Sequence, residues 1–439
     1  MARHSAVACA GIMMYNECMA NHRMSPKAIR NIILVVVTLI TLLVVAAVVI
    51  YFAAPDLFEE IAGAILPDRG EQTSPDDDTT PDSGTTPDDG GGGTPPTVLA
   101  PGDGELQVHF MDVGQGDSIL ILFPDGKDML IDCGTTRGGS WDDVDEYMDN
   151  YVKDGQLDYL MLTHTDSDHV GYMPEVLEKY DVDTVFMPNV LSEPSGTQSS
   201  DKLQAEIDAL DQSKVGMFTD EDTVSSNAYA EFFIAALSEP DCEIVLNVDP
   251  DEDTNSIVIT DGTKLSDGTY DGATYMLTFY CPTEEYYATT DLSDAMDLNA
   301  VSPVGILEYN DVRIVLTGDS NEINEPIVAE RLGNIDCDVL KVAHHGSESS
   351  SLDVFLDAVD CEFAVISCGE GNNHDHPRQE ALDRLIEDDM TIYRTDNNGN
   401  IVLTVDENGE MKFTLEREAD QSVNRDGWTD EEVDAATAD

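Results

Sequence analysis

Basic residues are scarce in this chain of 439: 21 Lys and Arg stand against 89 Asp and Glu, a formal net charge of −68 at pH 7. That scarcity excludes a protein that grips nucleic acid through a broad basic face, because such binding depends on Lys and Arg releasing phosphate counterions. The eight cysteines include no CxxC pair. The six that follow residue 54 (Cys133, Cys242, Cys281, Cys337, Cys361 and Cys368) form no compact disulfide framework. Cys133 in "MLIDCG" and Cys368 in "FAVISCG" end apolar runs, where a free cysteine is usually a small buried side chain. No internal repeat of fixed period is visible, which removes solenoid and propeller architectures.

One long apolar run is present. Residues 32–54, "IILVVVTLITLLVVAAVVIYFAA", carry no charge over 23 positions, and a helix rising ~1.5 Å per residue over that length crosses a ~30 Å hydrocarbon layer. Arg23, Lys27 and Arg30 precede it, while Asp56, Glu59 and Glu60 follow. The positive-inside rule then places residues 1–31 in the cytoplasm and the remainder outside, on a single-pass membrane anchor. A cleaved signal peptide is the alternative, but the run exceeds the ~7–15 residues of a signal core. Beyond the anchor the chain holds 17 basic and 88 acidic residues, net −71. Such a field repels polyanions and suits high salt or a cation-rich wall. Residues 55–104 end in a Pro-, Gly-, Thr- and Asp-rich stretch that has little to bury and is expected to be a self-repelling stalk. The tail 416–439 is similar in composition, so the segment expected to fold is 105–415.

Within that segment, "ELQVHFMDVGQGDSILILFP", "KDMLIDCG" and "LDYLMLTH" read as strands, and "DDVDEYMDNYVKD" and "YMPEVLEKY" as helices. The second half repeats the alternation through "VGILEYNDVRIVLTGD", "EPIVAERLG", "CDVLKVAHHGS", "SLDVFLDAV" and "CEFAVISCG". Alternation of this kind defines a layered α/β domain. Residues at about 192–275 break the rhythm with acidic, Gly-rich runs and read as an insertion.

The chemistry concentrates where apolar strands end. "THTDSDHVG" at 163–171 places His164, Asp166, Asp168 and His169 within six residues after "LDYLML". Imidazole and carboxylate are the ligands that borderline and hard divalent cations accept. Asp and His also occur in ordinary turns, but four in six positions after a buried strand favour metal. Other strand ends add Asp132 in "LIDCG", Asp319 in "IVLTGD", and His344 and His345 in "LKVAHH". Ligands on the ends of several strands are how a rigid scaffold builds a metal site.

Together, "DVGQGDS" at 112–118, "LIDCG" at 130–134, "THTDSDHVG", "NAVSPVGILEYNDVRIVLTGD" at 299–319, "DVLKVAHHGS" at 338–347 and "HP" at 376–377 resemble the metallo-β-lactamase fold superfamily, in particular the hydrolase domain of the ComEC competence proteins. The resemblance runs along most of residues 105–412. It implies a four-layer αββα sandwich with a two-metal site at one edge of the sheets. The first metal would be held by His164 and Asp166, and the second by Asp168, His169 and one histidine of "AHHGS", His345 in preference to His344. Asp319 would bridge them. Two cations ~3.5–4 Å apart activate water and polarise a phosphoryl or carbonyl oxygen, which supports hydrolysis. Asp132 would orient a ligand histidine or water. His376, before a proline and a helix, would donate a proton to the leaving group or bind a phosphate oxygen, as a histidine of near-neutral pKa can. Asp168, His376 and Asp132 are thus the candidate catalytic residues.

The sequence also departs from the superfamily pattern. No histidine lies between His169 and His344, so the first metal is expected to be completed by water, by Asn299, or by a residue of the C-terminal part. The extra carboxylate in H-T-D-S-D-H favours harder ions and makes manganese a rival to zinc. His374 and His109 read as ordinary histidines. "VGQGDS" lacks a P-loop lysine and reads as a tight turn bringing Gln115 and Asp117 near the site edge. The expected function is a membrane-anchored, extracytoplasmic phosphodiesterase acting on nucleic acid, a nucleotide or a smaller phosphodiester. The alternatives are a lactone or ester hydrolase and a metal-stabilised binding module whose catalysis has decayed.

Overall fold

A computed structural model describes residues 101–102, 104–134, 140–194, 198–218, 223–292 and 294–417. The expected cytoplasmic segment (1–31), transmembrane helix (32–54), nearly all of the stalk and the tail beyond residue 417 lie outside the described residues. Among the described residues, no helix is long and apolar enough to cross a membrane.

The apolar runs form two large sheets. In chain order the first sheet uses β1 (Leu106–Phe110), β2 (Ile119–Leu122), β3 (Asp128–Ile131), β4 (Gln156–Met161), β5 (Asp181–Met187) and β6 (Glu243–Leu246). The second uses β7 (Val258–Thr260), β8 (Tyr275–Tyr280), β9 (Val304–Tyr309), β10 (Val312–Leu316), β11 (Val339–Lys341), β12 (Phe363–Ile366) and β13 (Thr391–Arg394). The chain then returns to the first sheet with β14 (Ile401–Val405) and β15 (Met411–Leu415). The sheet orders are β15-β14-β1-β2-β3-β4-β5-β6 and β13-β12-β11-β10-β9-β8-β7. Pairing is parallel from β3 to β6 and from β10 to β13, so the exits of β3, β4, β10, β11 and β12 face one edge.

Period-two alternation explains the layers. On β2, Ile119 and Ile121 join the core between the sheets, while Leu120 and Leu122 join the core on the outer face of the first sheet. That outer face is covered by α1 (Trp141–Met148), α2 (Met173–Lys179), α3 (Gln198–Ala209) and α4 (Asn227–Ser238) through residues such as Met148, Val176, Ile207 and Phe233. On β11 and β12, Val339 and Val365 point between the sheets, and Leu340, Ala364 and Ile366 point outward. There they meet α5 (Glu325–Leu332), α6 (Asp353–Val359) and α7 (Gln379–Glu387) through Val328, Phe355 and Leu385. The result is a helix-sheet-sheet-helix sandwich. Burial of each such aliphatic side chain contributes on the order of 1.5–3 kcal/mol before entropic costs.

Residues 192–275, set apart in the sequence by their acidity, are built into this frame. They supply α3 and α4 to one helix layer, β6 to the edge of the first sheet and β7 to the edge of the second. Acidic side chains mark the solvent faces of these elements, while the buried residues of α4 are Tyr229, Ala230, Phe232, Phe233, Ala236 and Leu237. All six cysteines among the described residues are free and buried.

Candidate metal centre

Asp319, at the exit of β10, is the focus of the sheet edge. Its side chain is 3% exposed, and its two oxygens face different partners. Oδ1 lies 3.2 Å from His169 Nε2 and 3.7 Å from His345 Nε2, and the latter is 3.5 Å from Asp168 Oδ2. Oδ2 lies 3.7 Å from His164 Nε2 and 3.5 Å from His344 Nε2, and His164 Nε2 is 3.8 Å from Asp166 Oδ2. Every metal-ligand candidate from the sequence therefore stands around one carboxylate.

Local backbone geometry produces this convergence. β4 ends at Met161, and a short helical turn, Ser167–Val170, swings Asp168 and His169 back toward Asp319. After β11, His344 and His345 both adopt left-handed conformations, with φ 49° and 54°. Consecutive left-handed residues reverse the chain sharply, and the two imidazoles reach opposite oxygens of Asp319. The sequence reading preferred one ligand from "AHHGS"; both histidines face Asp319, His345 toward Oδ1 and His344 toward Oδ2. Asn299, considered for completing the first site, takes a supporting position. With its amide oriented to satisfy both ends, it donates to Ala295 O at 2.9 Å and to Asp166 Oδ2 at 3.3 Å.

The imidazoles are held from behind. Asp132 is buried at the exit of β3 with φ 56°; its Oδ1 accepts from Thr163 N at 2.8 Å. Its Oδ2 accepts from Thr163 Oγ1 and from His169 Nδ1, both at 2.7 Å. His345 Nδ1 donates to the carbonyl of Ser367 at 2.8 Å and lies 3.3 Å from Asp117 Oδ1. His164 Nδ1 meets hydroxyls instead, Thr163 Oγ1 at 3.1 Å and Ser302 Oγ at 3.3 Å. The "VGQGDS" segment presses against the Asp168 loop: Asp117 N donates to Asp168 O at 3.1 Å. A Cβ at Gly116, where φ is +149°, would lie 2.4 Å from that carbonyl oxygen. The glycine permits a close backbone approach; no phosphate cradle is formed by it.

Charge follows the same division. Burial alone would raise the Asp319 carboxyl, but attraction to His169, His344 and His345 outweighs it and holds the group well below the usual carboxylate range. Burial would likewise lower His169, yet Asp319 and Asp132 together hold it well above an ordinary histidine. His164 is different: burial, reinforced by repulsion from His169, pushes it down to about 4 and leaves a neutral imidazole at pH 7. Burial and then repulsion from Asp168 and Asp319 push Asp166 up to about 6.

The Nε2 atoms of His164, His169 and His345 and the Oδ1 of Asp319 are buried and make no hydrogen bond among the described residues. Orphaned buried polar atoms are costly. Four of them converging from different strands fit divalent cations, whose ligands are neutral imidazole and carboxylate. The donor atoms of His164, His169 and Asp319 lie within 4.8 Å of one another, as do those of Asp168, His169 and His345.

The centre opens into a cleft of about 1080 Å³. His376 lies on its wall, its ring centroid 5.4 Å from that of His344 and 6.3 Å from that of His345. Burial, then repulsion from His345 and His344, pushes His376 down to about 3. The lowered value favours the neutral imidazole. His374 lines the same cleft but is exposed. His109 is remote and bonded to Tyr147 Oη at 2.8 Å and Gln107 Oε1 at 3.1 Å. Gln115 accepts from Gly369 N at 3.2 Å at the cleft wall. The sequence reading missed Lys341, Ser302 and Thr163 as parts of the surround. A lysine inside the apolar run "DVLKVA" was the one available signal, since a charge there needs a partner.

The family model of the metallo-beta-lactamase superfamily matches residues 111–241 of the chain. Among curated relatives, it is 26% identical over 314 residues to ComE operon protein 3 of Bacillus subtilis, covering 68% of this chain and 33% of the relative. It is 27% identical over 282 residues to Recombination protein 2 of Haemophilus influenzae, covering 64% and 26%. The chain thus spans a third or less of the length of these relatives. A solved structure, the metallo-beta-lactamase fold protein YhfI from Bacillus subtilis, aligns over 69% of this chain and 99% of its own at 12% identity and a TM-score of 0.36.

Proposed function

We propose that this protein is a metal-dependent hydrolase of phosphodiesters, anchored to the cell membrane with its catalytic domain outside. The carrying observation is the division of Asp319 between two sets of candidate ligands: His164 and His344 face Oδ2, with Asp166 beside His164, and His169 and His345 face Oδ1, with Asp168 beside His345. Two divalent cations, zinc or manganese, would supply Lewis-acid activation of water and of the scissile phosphoryl group. The chain's own residues do the rest. Asp132 fixes the His169 ring with Nδ1 as donor and leaves Nε2 free, and Thr163 and Ser302 do the same for His164 more weakly. Neutral His376 on the cleft wall hydrogen-bonds a substrate oxygen. His344, 3.5 Å from Asp319 Oδ2, supports a complete first site over a decayed binding module.

Carbonyl ester or lactone hydrolysis is the second reading. It is favoured by the cleft wall, where the one basic residue among the described lining residues, Arg417, is already paired with Asp112 at 2.9 Å. The anchor and outside location rest on residues 32–54 and the charges flanking them. Metal analysis of the purified chain, followed by kcat/KM for single-stranded DNA, a small phosphodiester and a lactone across a salt series, tests the proposal. Turnover of the phosphodiester that rises with bound metal is expected, with DNA turnover increasing up to a few tenths molar salt as a repulsive field is screened. Turnover of the lactone alone would transfer the site to the second reading. A steep fall of DNA turnover with salt would reveal a basic groove.

A further inference from the structure

Lys341 is fully buried at the end of β11 in the second sheet, a position where a lone ammonium is strongly disfavoured. Its Nζ donates to Val342 O at 3.0 Å and pairs with Asp117 Oδ2 at 2.8 Å. Asp117 belongs to the turn between β1 and β2 of the first sheet, so the pair ties the two sheets together at the functional edge. Its other oxygen is 3.3 Å from His345 Nδ1, and its backbone N–H holds Asp168 O. Two of the three residues on the Oδ1 side of Asp319, His345 and Asp168, are therefore touched by Asp117. The Asp117 carboxylate is itself close enough to serve as a ligand, because its donor atoms fall within 4.8 Å of those of Asp319 and His345, and of those of Asp132 and His169.

We propose that Lys341 and Asp117 form a positioning pair for the Oδ1 half of the metal centre: Lys341 keeps Asp117 turned away from the ions, and Asp117 aims His345 Nε2 and the Asp168 loop at them. Stability alone does not account for the pair, since a buried ion pair is often replaceable by apolar groups at no loss. Arg331 and Asp249 form a second buried pair at 2.7 Å, with no atom on a ligand candidate. The two pairs share burial and charge but differ in what they touch, which makes the second a control.

The inference rests on the metal-centre reading, and the test separates them. The full chain is titrated with Mn²⁺ alone by calorimetry, and its thermal unfolding is followed without metal. Wild type is expected to show two classes of sites. The uncharged double variant Lys341→Met/Asp117→Asn is expected to unfold within a few degrees of wild type yet to lose on the order of 10–100-fold in the tighter class only, the range seen when support of a ligand is removed. Asp117→Asn alone, which keeps the shape and leaves Lys341 an acceptor, should weaken the same class and secures the test should the double variant not fold. Arg331→Met/Asp249→Asn should leave the ratio of the two classes unchanged. Unchanged affinity of the tighter class in both Asp117 variants, or equal loss in both classes, overturns the positioning role while leaving the metal centre intact. Absence of any Mn²⁺ binding by wild type overturns the metal reading and this inference with it.

Discussion

The two sides of Asp319 carry the same kinds of candidate ligand but stand on different ground. On the Oδ1 side, His169 is backed by the Asp132 carboxylate at 2.7 Å and His345 by the Ser367 carbonyl at 2.8 Å and Asp117. Both imidazoles are 1% exposed or less. On the Oδ2 side, His164 is backed by hydroxyls, the His344 side chain is 20% exposed, and that of Asp166 is 41% exposed. His344 Nδ1 has no hydrogen-bond partner among the described residues. A carboxylate behind an imidazole fixes its ring and raises its basicity, whereas a hydroxyl does less of both. Ligand identity alone would make the two half-sites nearly equal; their supports make them unequal.

The sharpest break of this comparison is removal of the group both halves share. Asp319→Ala is expected to lose most of both metals on dialysis, measured as metal per protein by emission spectroscopy. Two tightly bound ions in that variant would take Asp319 out of the centre.

Stepwise chelation of the intact protein comes next. The ion on the Oδ2 side is expected to leave first, because its ligands are more exposed and less firmly held. Loss of both ions in one step would contradict the asymmetry. Activity that disappears with the first ion would show that hydrolysis needs the pair.

Supports can then be removed one at a time. Asp132→Asn is expected to weaken the tighter site by about 10–100-fold. Ser302→Ala should weaken the looser site by less than about tenfold, in keeping with a hydrogen bond worth ~0.5–1.5 kcal/mol. Calorimetric titration reads both, and the reverse ranking would mean that hydroxyl support matters more than carboxylate support.

The smallest effect lies away from the centre, where carboxylates face one another and not imidazoles. At the start of β3, burial and then repulsion from Asp158, Asp154 and Asp183 push Asp128 up to about 7, against a backbone hydrogen bond from Asp158 that lowers it. A raised carboxyl pKa means that the folded protein holds a proton the unfolded chain has released, so stability falls as pH rises from about 4 through about 7. Asp128→Asn removes that loss and keeps an acceptor for Asp158 N–H, which donates to Asp128 Oδ1 at 2.9 Å. The variant is expected to be more stable than wild type by on the order of 1 kcal/mol at pH 8, after allowance for partial exposure, and to show no gain at pH 4. Denaturant titrations at the two pH values measure the difference; an equal gain at both would assign it to packing.

Much of the centre was legible because strand ends are legible. An apolar run that stops at Asp132, His164 or Asp319 announces both the strand and the residue placed at its exit, and the sheet order carries those exits to one edge. The roles of His344 and His345 were not legible, because consecutive left-handed residues leave no trace in composition or periodicity. How the acidic segment 192–275 packs into the frame was not legible for a related reason. Charge reports the solvent face of an element, whereas Phe232 and Phe233, which bind α4 to the first sheet, are two apolar residues among many.

What the sequence determined by itself was the α/β alternation, the acidic field, and the identity and order of the ligand candidates, since these depend on residue type and near-neighbour spacing. Tertiary structure alone decided which imidazole meets which oxygen of Asp319, that His376 is buried beside His344 and His345, and that Lys341 stands behind His345 through Asp117. Those contacts join residues up to hundreds of positions apart, and their energies depend on burial and on distances of a few ångströms, quantities that exist only once the two sheets have closed on each other.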